Sequence, residues 1–397
     1  MQLYWLWLAL LPGLNVLQKL ALLEYFSEPE EIYGATKAAF SHMEEMTEQV
    51  YAALQNKDLT KPRQILDQCR NQNIGILTFG STAYPARLRN IEKPPLVLYY
   101  KGILPDFTAQ PAVAVVGTRK ATNYGINCAR SLSQQIAACG GIVVSGAAAG
   151  IDAAAMDGAL TVDTSVVGVL GCGVDIVYPS SNERLFQKIV ENGCLLSEYP
   201  PGTKARSWHF PERNRIISGI ANGVVVIEAP ERSGALITAN CAFEQGKDIF
   251  AVPANIDMQT CAGSNALLQE CATAVFCGWD VMKQYQPMYP KTVRKQQLPV
   301  AEKPKETVQE AKPAPAVSVG YDKKDIDNAS SSPYSCIVNL SDEEQSVAIH
   351  LTEAPCSVDE VIQKAEIPAA QVLRILTALA LKGVVVNHPG KRVSLKK

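Results

Sequence analysis

The sequence predicts an α/β fold built on a doubly wound parallel sheet, and three observations carry that prediction. Between about Ala112 and Asp280, short runs of valine, isoleucine and leucine alternate with longer stretches of helical periodicity. The apolar runs are continuous rather than alternating, which marks strands covered on both faces. Glycine-bearing turns recur where the runs end, as strand-to-helix crossovers require.

The chain opens with "MQLYWLWLALLPGL", short and apolar like a signal peptide. It has no basic leading segment and no small-x-small cleavage site, and it flows into the amphipathic "NVLQKLALLEYF", so it reads as a buried first helix. No other stretch is long and apolar enough to predict a bilayer span. Helical spacing continues to about Asn73 and predicts a small helical domain over 1–73. Its "LPGLN" turn is similar to a helix-hairpin-helix, which offers backbone N–H groups to DNA phosphate, although Asn15 stands where the second glycine is expected. The alternative is a packing module.

A second domain is expected over 74–283. Its candidate strands are "AVAVVG", "GIVVSG", "SVVGVLG", "CLLSEYP", "VVVIEAP", "DIFAVPA" and "AVFCG", separated by helical stretches such as "GINCARSLSQQIAACG", "IDAAAMDGAL" and "NERLFQKIVENG". From 284 to 335 the composition turns to Pro, Lys, Glu, Gln and Ser, which predicts a flexible linker. Over 336–397, three helical segments and two short strands around a Pro-Gly turn predict a winged helix. Its third helix carries only Arg374 and Lys382 as cations, so protein contact and weak DNA contact through Lys391, Arg392, Lys396 and Lys397 both stay open.

With 397 residues, 47% hydrophobic and 19% charged, the chain has room for two or three globular domains. A formal net charge of -2 excludes a general polycation, so any nucleic-acid role must rest on a local patch. The eleven cysteines form no CxxC pair, and Cys261, Cys271 and Cys277 have no nearby histidine. Free thiols in a reducing cytoplasm are therefore expected, with no metal.

Chemistry in such a sheet gathers outside the carboxyl ends of the strands. Glycines there, Gly117 and Gly146 among them, allow positive φ and close ligand approach, while amides opening the next helix form an anion nest. Arg119 supplies a fork for two phosphate oxygens. The alternative is that these glycines only permit tight turns. The anion is not a dinucleotide, since no GxGxxG follows Gly117, nor a P-loop nucleotide, since no GxxxxGK[ST] occurs.

The segment "SEYPPGTKARSWHFPERNRIIS" sets Lys204, Arg206, Arg213 and Arg215 among Trp208, His209 and Phe210. Cations interleaved with aromatic faces suit single-stranded nucleic acid, where phosphates need charge and unstacked bases need a platform. The bland alternative buries Trp208 and Phe210 and leaves the cations solvated. Enzyme signatures are weak: no GxSxG elbow appears, His209 lacks a close carboxylate in sequence, and Glu198 and Glu228 at strand ends are the candidates for acid/base work. Asp152 reads as a helix cap or structural acceptor.

In order along the chain, "VAVVGTRKATNYG", "VVSGAAAGIDAAAMDGAL", "GCGVDIVYPSSNERLFQKI", "LLSEYPPG", "FPERNRIISGIA", "VVVIEAPERSGALITANCAFEQGKDIFAVPA" and "GSNALLQE" resemble the DNA-processing protein A (DprA/Smf) family. The likeness covers the central domain nearly end to end, and the flanking parts are what longer members carry. It implies a Rossmann-like core that binds single-stranded DNA without known catalysis or cofactor, forms a homodimer, and loads RecA recombinase onto protected DNA during natural transformation. It further implies that Gly117, Thr118 and Arg119, Ser145 and Gly146, Lys204 and Phe210, Arg213 and Asn214, and Ser233 and Gly234 line the DNA path, with Arg206 able to take the place of Lys204. Three positions depart from the family pattern: Ala149 replaces an arginine, Met156 a histidine and Ala254 a glycine. A rival reading, a phosphoribohydrolase-like nucleotide enzyme of related fold, needs PGGxGTxxE where this chain has "APERSGALITA". A third is an interaction scaffold whose central fold has lost its ligand.

Overall fold

The computed structural model describes residues 1–40, 43, 46–162, 164–296 and 342–395, the last span apart from 353, 355, 366, 382, 383 and 389–391. The chain divides into two compact units, 1–305 and 306–397.

The first unit begins with helices α1 (Gln2–Leu10), α2 (Val16–Tyr25), α3 (Pro29–Gly34), α4 (Glu48–Leu54) and α5 (Thr60–Asn71). The predicted buried first helix is present: Trp5, Leu6, Trp7 and Leu8 are buried along α1. The two indole N–H groups donate to Glu28 and to the Asn56 carbonyl. Asn15 forms a reciprocal capping box with Gln18 at the start of α2, which satisfies amides a bare turn would leave open.

Next come β1 (Gly75–Thr78), α6 (Ala86–Arg89), β2 (Val97–Gly102), β3 (Ala112–Val116), α7 (Asn123–Ala138), β4 (Ile142–Ser145), α8 (Ile151–Ala159), β5 (Val166–Leu170), α9 (Glu183–Asn192) and β6 (Cys194–Ser197). The unit continues with α10 (His209–Ile220), β7 (Gly223–Val226), α11 (Gly234–Glu244), β8 (Asp248–Ala251), α12 (Ala262–Glu270), β9 (Thr273–Ala274) and α13 (Gly278–Met282). The nine strands form one sheet ordered β1-β2-β6-β5-β4-β3-β7-β8-β9. From β6 through β9 every pairing is parallel. β2 joins β6 antiparallel, and β1 joins β2 antiparallel. The doubly wound parallel sheet that the sequence predicts is present, and this antiparallel extension adds two strands to it. The extension is hard to see in sequence because the two strands precede the β3 run and only the four-residue α6 lies between them.

Continuous apolar strands follow from the two covered faces. Val113 and Val115 of β3 pack in one layer with Ile136 of α7, Ala155 of α8 and Ile189 of α9. Ala112, Ala114 and Val116 pack in the other with Ile216 and Ile217 of α10, Ala239 of α11 and Leu267 of α12.

Two expected boundaries change. Trp7, Leu22 and Leu54 belong to the same buried cluster as Val113, so the helical segment 1–73 shares the sheet's core; short helices alone expose too much surface to stand apart. The linker does not begin at 284, because Tyr285 and Val293 are buried. The Tyr285 hydroxyl donates to Asp248 at 2.9 Å and Thr292 donates to the Ala109 carbonyl at 2.8 Å. These apolar anchors are sparse in a polar stretch, which hid them. The rest of the expected linker, 297–335, lies outside the described residues.

In the second unit, α14 (Asp342–Ala348), α15 (Val358–Ala365) and α16 (Ala369–Leu381) accompany β10 (Cys356–Ser357), β11 (Val385–His388) and β12 (Arg392–Leu395). The strands pair antiparallel in the order β10-β12-β11. Val347, Val361, Val372, Leu376 and Val393 form its core. This is the predicted winged helix with one additional short strand. Arg374 and Arg392 are exposed on it, whereas Lys382, Lys391, Lys396 and Lys397 lie outside the described residues.

Two stability predictions follow from the first unit. Tyr285→Ala removes a fully buried ring and is expected to cost about 3–5 kcal/mol in denaturant unfolding; a change within error would put 284–296 back in the linker. Lys19 is buried and its Nζ donates to the Ala9 carbonyl at 2.7 Å. Burial pushes its amine down to about 8 from 10.5, with Glu198 pulling the other way. The folded state then holds this proton less tightly than the unfolded chain, so this group makes stability rise between about pH 8 and pH 10.5. Lys19→Met should therefore show its largest advantage over the parent near pH 7 and lose it by pH 10, as read from unfolding curves at each pH.

Candidate functional site

In the parallel part of the sheet the chain runs outward from β3 to β6 and then returns to the other side of β3 with β7. Strand order therefore reverses between β3 and β7, and the crevice outside their carboxyl ends is where such sheets hold ligands. A groove of about 500 Å³ lies there, lined by the loop after β3, the start of α10 and the loop from β7 into α11. Of the predicted residues, Gly117, Thr118, Arg119, Arg206, Phe210, Arg213, Asn214, Ser233 and Gly234 line it.

Each wall has a local cause. The Thr118 N–H donates to the Glu228 carbonyl at 2.7 Å. The Glu228 carboxylate, fully buried, accepts from the Thr122 N–H at 3.1 Å and from its hydroxyl at 2.9 Å. Thr122 in turn caps α7, so Glu228 latches the Gly117–Arg119 loop. At the α11 edge, Ser233 caps the helix by accepting from the Ala235 amide at 3.2 Å. Asn214 spans the gap, donating to the Gly234 carbonyl at 3.2 Å and accepting from Arg213 Nε at 3.3 Å.

Arg213 is buried and its guanidinium donates to the Gly146 carbonyl at 2.9 Å and to the Val169 carbonyl. Burial pushes it down to about 10, Asp152 draws it up and Arg119 lowers it further. Burial likewise pushes the Asp152 carboxyl above the usual carboxylate range, against the pull of Arg213. Asp152 accepts from the Ala148 amide at 3.4 Å, the structural acceptor role that the sequence suggests.

The exposed charge lies above this layer. Arg119 stands over the Phe210 ring, 4.9 Å from its centroid, and Tyr178 stacks on Phe210 at 5.4 Å. Arg206 covers Trp208 at 5.3 Å, and Trp208 is 58% exposed. Among the described residues, Arg119, Arg206 and Arg232 have no acidic partner. The groove thus offers aromatic faces and unpaired guanidinium groups side by side, which can receive bases and phosphates.

Several expectations are corrected. Ser145 and Gly146 do not line the groove. The Ser145 hydroxyl is buried and donates to the Val115 carbonyl at 2.7 Å. Gly117 and Gly146 are absent from the positive-φ glycines among the described residues; what they allow is close packing. A Cβ at Gly117 would meet Ile151 at 2.5 Å, and one at Gly146 would meet Arg213 Nη2 at 2.5 Å. Positive φ is found at Gly150, where the backbone passes against the Thr118 and Arg119 carbonyls. Lys204 is exposed but outside the lining. Arg215 pairs with Glu198 at 2.6 Å, so this cation is not free in the groove. His209 donates from Nδ1 to the Gly171 carbonyl at 3.0 Å and stacks on Tyr199 at 4.0 Å. Tyr178 and Arg232 line the groove without having been singled out. The signal for Arg232 was its place just before the capping serine of a helix aimed at the crevice.

Gly146→Ala is expected to displace the Arg213 guanidinium and to cost about 1–3 kcal/mol, visible as a lowered midpoint in thermal unfolding; an unchanged midpoint would mean the guanidinium moves freely.

Comparison with known proteins adds to this geometry. Residues 75–286 match the DNA recombination-mediator protein A family, and 333–391 match the DprA winged helix domain. Protein Smf of Synechocystis is 38% identical over 281 residues, covering 69% of this chain and 70% of that one. DNA processing protein DprA of Streptococcus pneumoniae is 42% identical over 205 residues, 51% of this chain and 71% of that protein. The X-ray structure of the S. pneumoniae protein superposes with a TM-score of 0.62 at 33% identity, covering 72% of this chain and 98% of that one. A DNA processing protein A structure from Helicobacter pylori, described for its single-stranded DNA binding mode, gives 0.50 at 27% identity, covering 54% and 97%.

Proposed function

The chain belongs to the DNA recombination-mediator protein A family, and from that premise we propose that it is a non-enzymatic recombination mediator that binds single-stranded DNA in the groove at the β3/β7 switch point. One observation carries the reading: unpaired Arg119, Arg206 and Arg232 share one open groove with the Phe210–Tyr178 stack. Phosphates are held by the exposed guanidinium groups, and bases rest on the exposed ring of Trp208, while the Phe210–Tyr178 stack holds Arg119 in place. Thr118, Asn214, Ser233 and Gly234 shape the wall, and Arg213 holds the floor in place.

The finer parts of the reading are that it acts as a homodimer in the cytoplasm, protects incoming DNA and loads RecA recombinase during natural transformation. Dimerisation multiplies contacts along one strand, so modest single-groove affinity suffices for stable coverage. RecA loading is tested by whether this protein speeds RecA filament growth on DNA already covered by a single-strand-binding protein.

The direct test is anisotropy titration of labelled oligo(dT) at two salt concentrations. Arg119→Ala is expected to weaken binding about 10- to 100-fold and to reduce the salt slope by about 1, with unfolding unchanged. Equal affinity for parent and variant would remove the groove from the DNA path.

A further inference from the structure

Asn182 stands at the N-cap position of α9, where asparagine ordinarily accepts a hydrogen bond from the first amides of its own helix. Among the described residues it makes no such bond. Its side-chain NH2 reaches instead to the loop after β4, donating to the Ala147 carbonyl at 3.1 Å and to the Ala148 carbonyl at 3.2 Å. The Ser181 hydroxyl donates to the amide oxygen at 3.4 Å, which leaves the nitrogen for the loop. A capping side chain is thus diverted to a neighbouring segment.

That segment needs holding. Ala147 is fully buried and has a φ of 52°, a left-handed backbone that a residue with a Cβ adopts only where its surroundings impose it. The Asn182 bonds fall on its own carbonyl and on the next one. Ala148, which belongs to the groove lining, is then fixed on both sides, its amide by Asp152 and its carbonyl by Asn182. Three residues on, the Ile151 N–H donates to the Thr118 carbonyl at 3.2 Å, the oxygen of the peptide group that joins Thr118 to Arg119. A hydrogen-bonded path therefore runs from Asn182 to the backbone of Arg119. Asn182 also ends the loop after β5, in which Tyr178 stacks on Phe210, the ring over which Arg119 stands. One amide ties together the segment that holds the Arg119 backbone and the segment that supports its aromatic seat.

We propose that Asn182 is a positioning residue of the groove: it lies outside the lining, and by tying the loop after β5 to the loop after β4 it holds Arg119 where a strand is met. The proposal rests on the reading of the groove as a single-strand site, and it adds a residue that acts on binding without touching the DNA.

The experiment is a double-mutant cycle on the full chain, read by anisotropy of labelled oligo(dT) at two salt concentrations with thermal unfolding recorded alongside. Asn182→Ser keeps an uncharged N-cap residue but has one donor, on a shorter side chain, for the two carbonyls. It is expected to weaken binding about 5- to 20-fold. It should also lower the salt slope although it removes no charge, because Arg119 leaves the phosphate. In the Arg119→Ala background the same substitution is expected to cost less than about 2-fold. A role confined to stability leaves the slope at the parental value and gives losses that multiply. Either of those results overturns the proposal, as does parental affinity in Asn182→Ser, while the groove reading stands. If the serine variant unfolds below the assay temperature, Asn182→Thr, a second capping residue, takes its place in the cycle with the same deciding outcomes. If the parent fails to bind oligo(dT), or Arg119→Ala binds as tightly as the parent, the groove reading falls and this proposal with it.

Discussion

The architecture of the candidate site hangs on one buried guanidinium. Arg213 enters from α10 beneath the strand ends and donates to carbonyls that follow β4 and lie in β5. A charge with so little solvent survives only where oxygen acceptors surround it. The Gly146 and Val169 carbonyls and the Asn214 side chain supply them, and the Asp152 carboxyl adds its field. The bonds fix the start of α10, whose first two turns carry Phe210 into the groove and Asn214 across to α11. The exposed face of the candidate groove is therefore set by hydrogen bonds made beneath it.

This arrangement separates two uses of arginine within a short segment. Arg213 and Arg215 are engaged internally, one by carbonyls and one by Glu198. Arg119 and Arg206 are exposed and stand over aromatic rings, 4.9 and 5.3 Å from their centroids. A guanidinium resting on a ring is partly ordered before binding, so less rotamer freedom is lost when a phosphate arrives. The whole chain is slightly acidic at -2, so attraction of a polyanion must come from this local cluster and falls off within a Debye length.

The sheet was legible in the sequence wherever local chemistry decided it. Continuous valine runs gave β3 to β5 and β7, because those strands are covered on both faces. The antiparallel β1 and β2 carried no crossover helix to announce them, and the anchors Tyr285 and Val293 were single apolar residues in polar surroundings. At the site, glycines, arginines and aromatics pointed to loops that line the groove, yet burial divided them. Ser145 and Gly146 fall outside the groove lining, because a motif records that a residue is required without recording for what. Arg232 was harder to single out, since its place in the lining follows from where α11 points.

The departures from the family pattern fall on this division. Met156 is fully buried against the sheet, in the layer where Val113 and Ala155 pack, so an apolar side chain there completes a core and leaves the groove untouched. Ala149 is different, because it adjoins Ala148 in the groove lining, and a cation is missing from the rim on the β4 side. Charge is then concentrated on the loops after β3 and β7, where Arg119 and Arg232 face the same crevice. With one guanidinium fewer, a strand held as proposed would release fewer counterions, and a larger share of its binding free energy would come from stacking on Trp208, which salt barely screens.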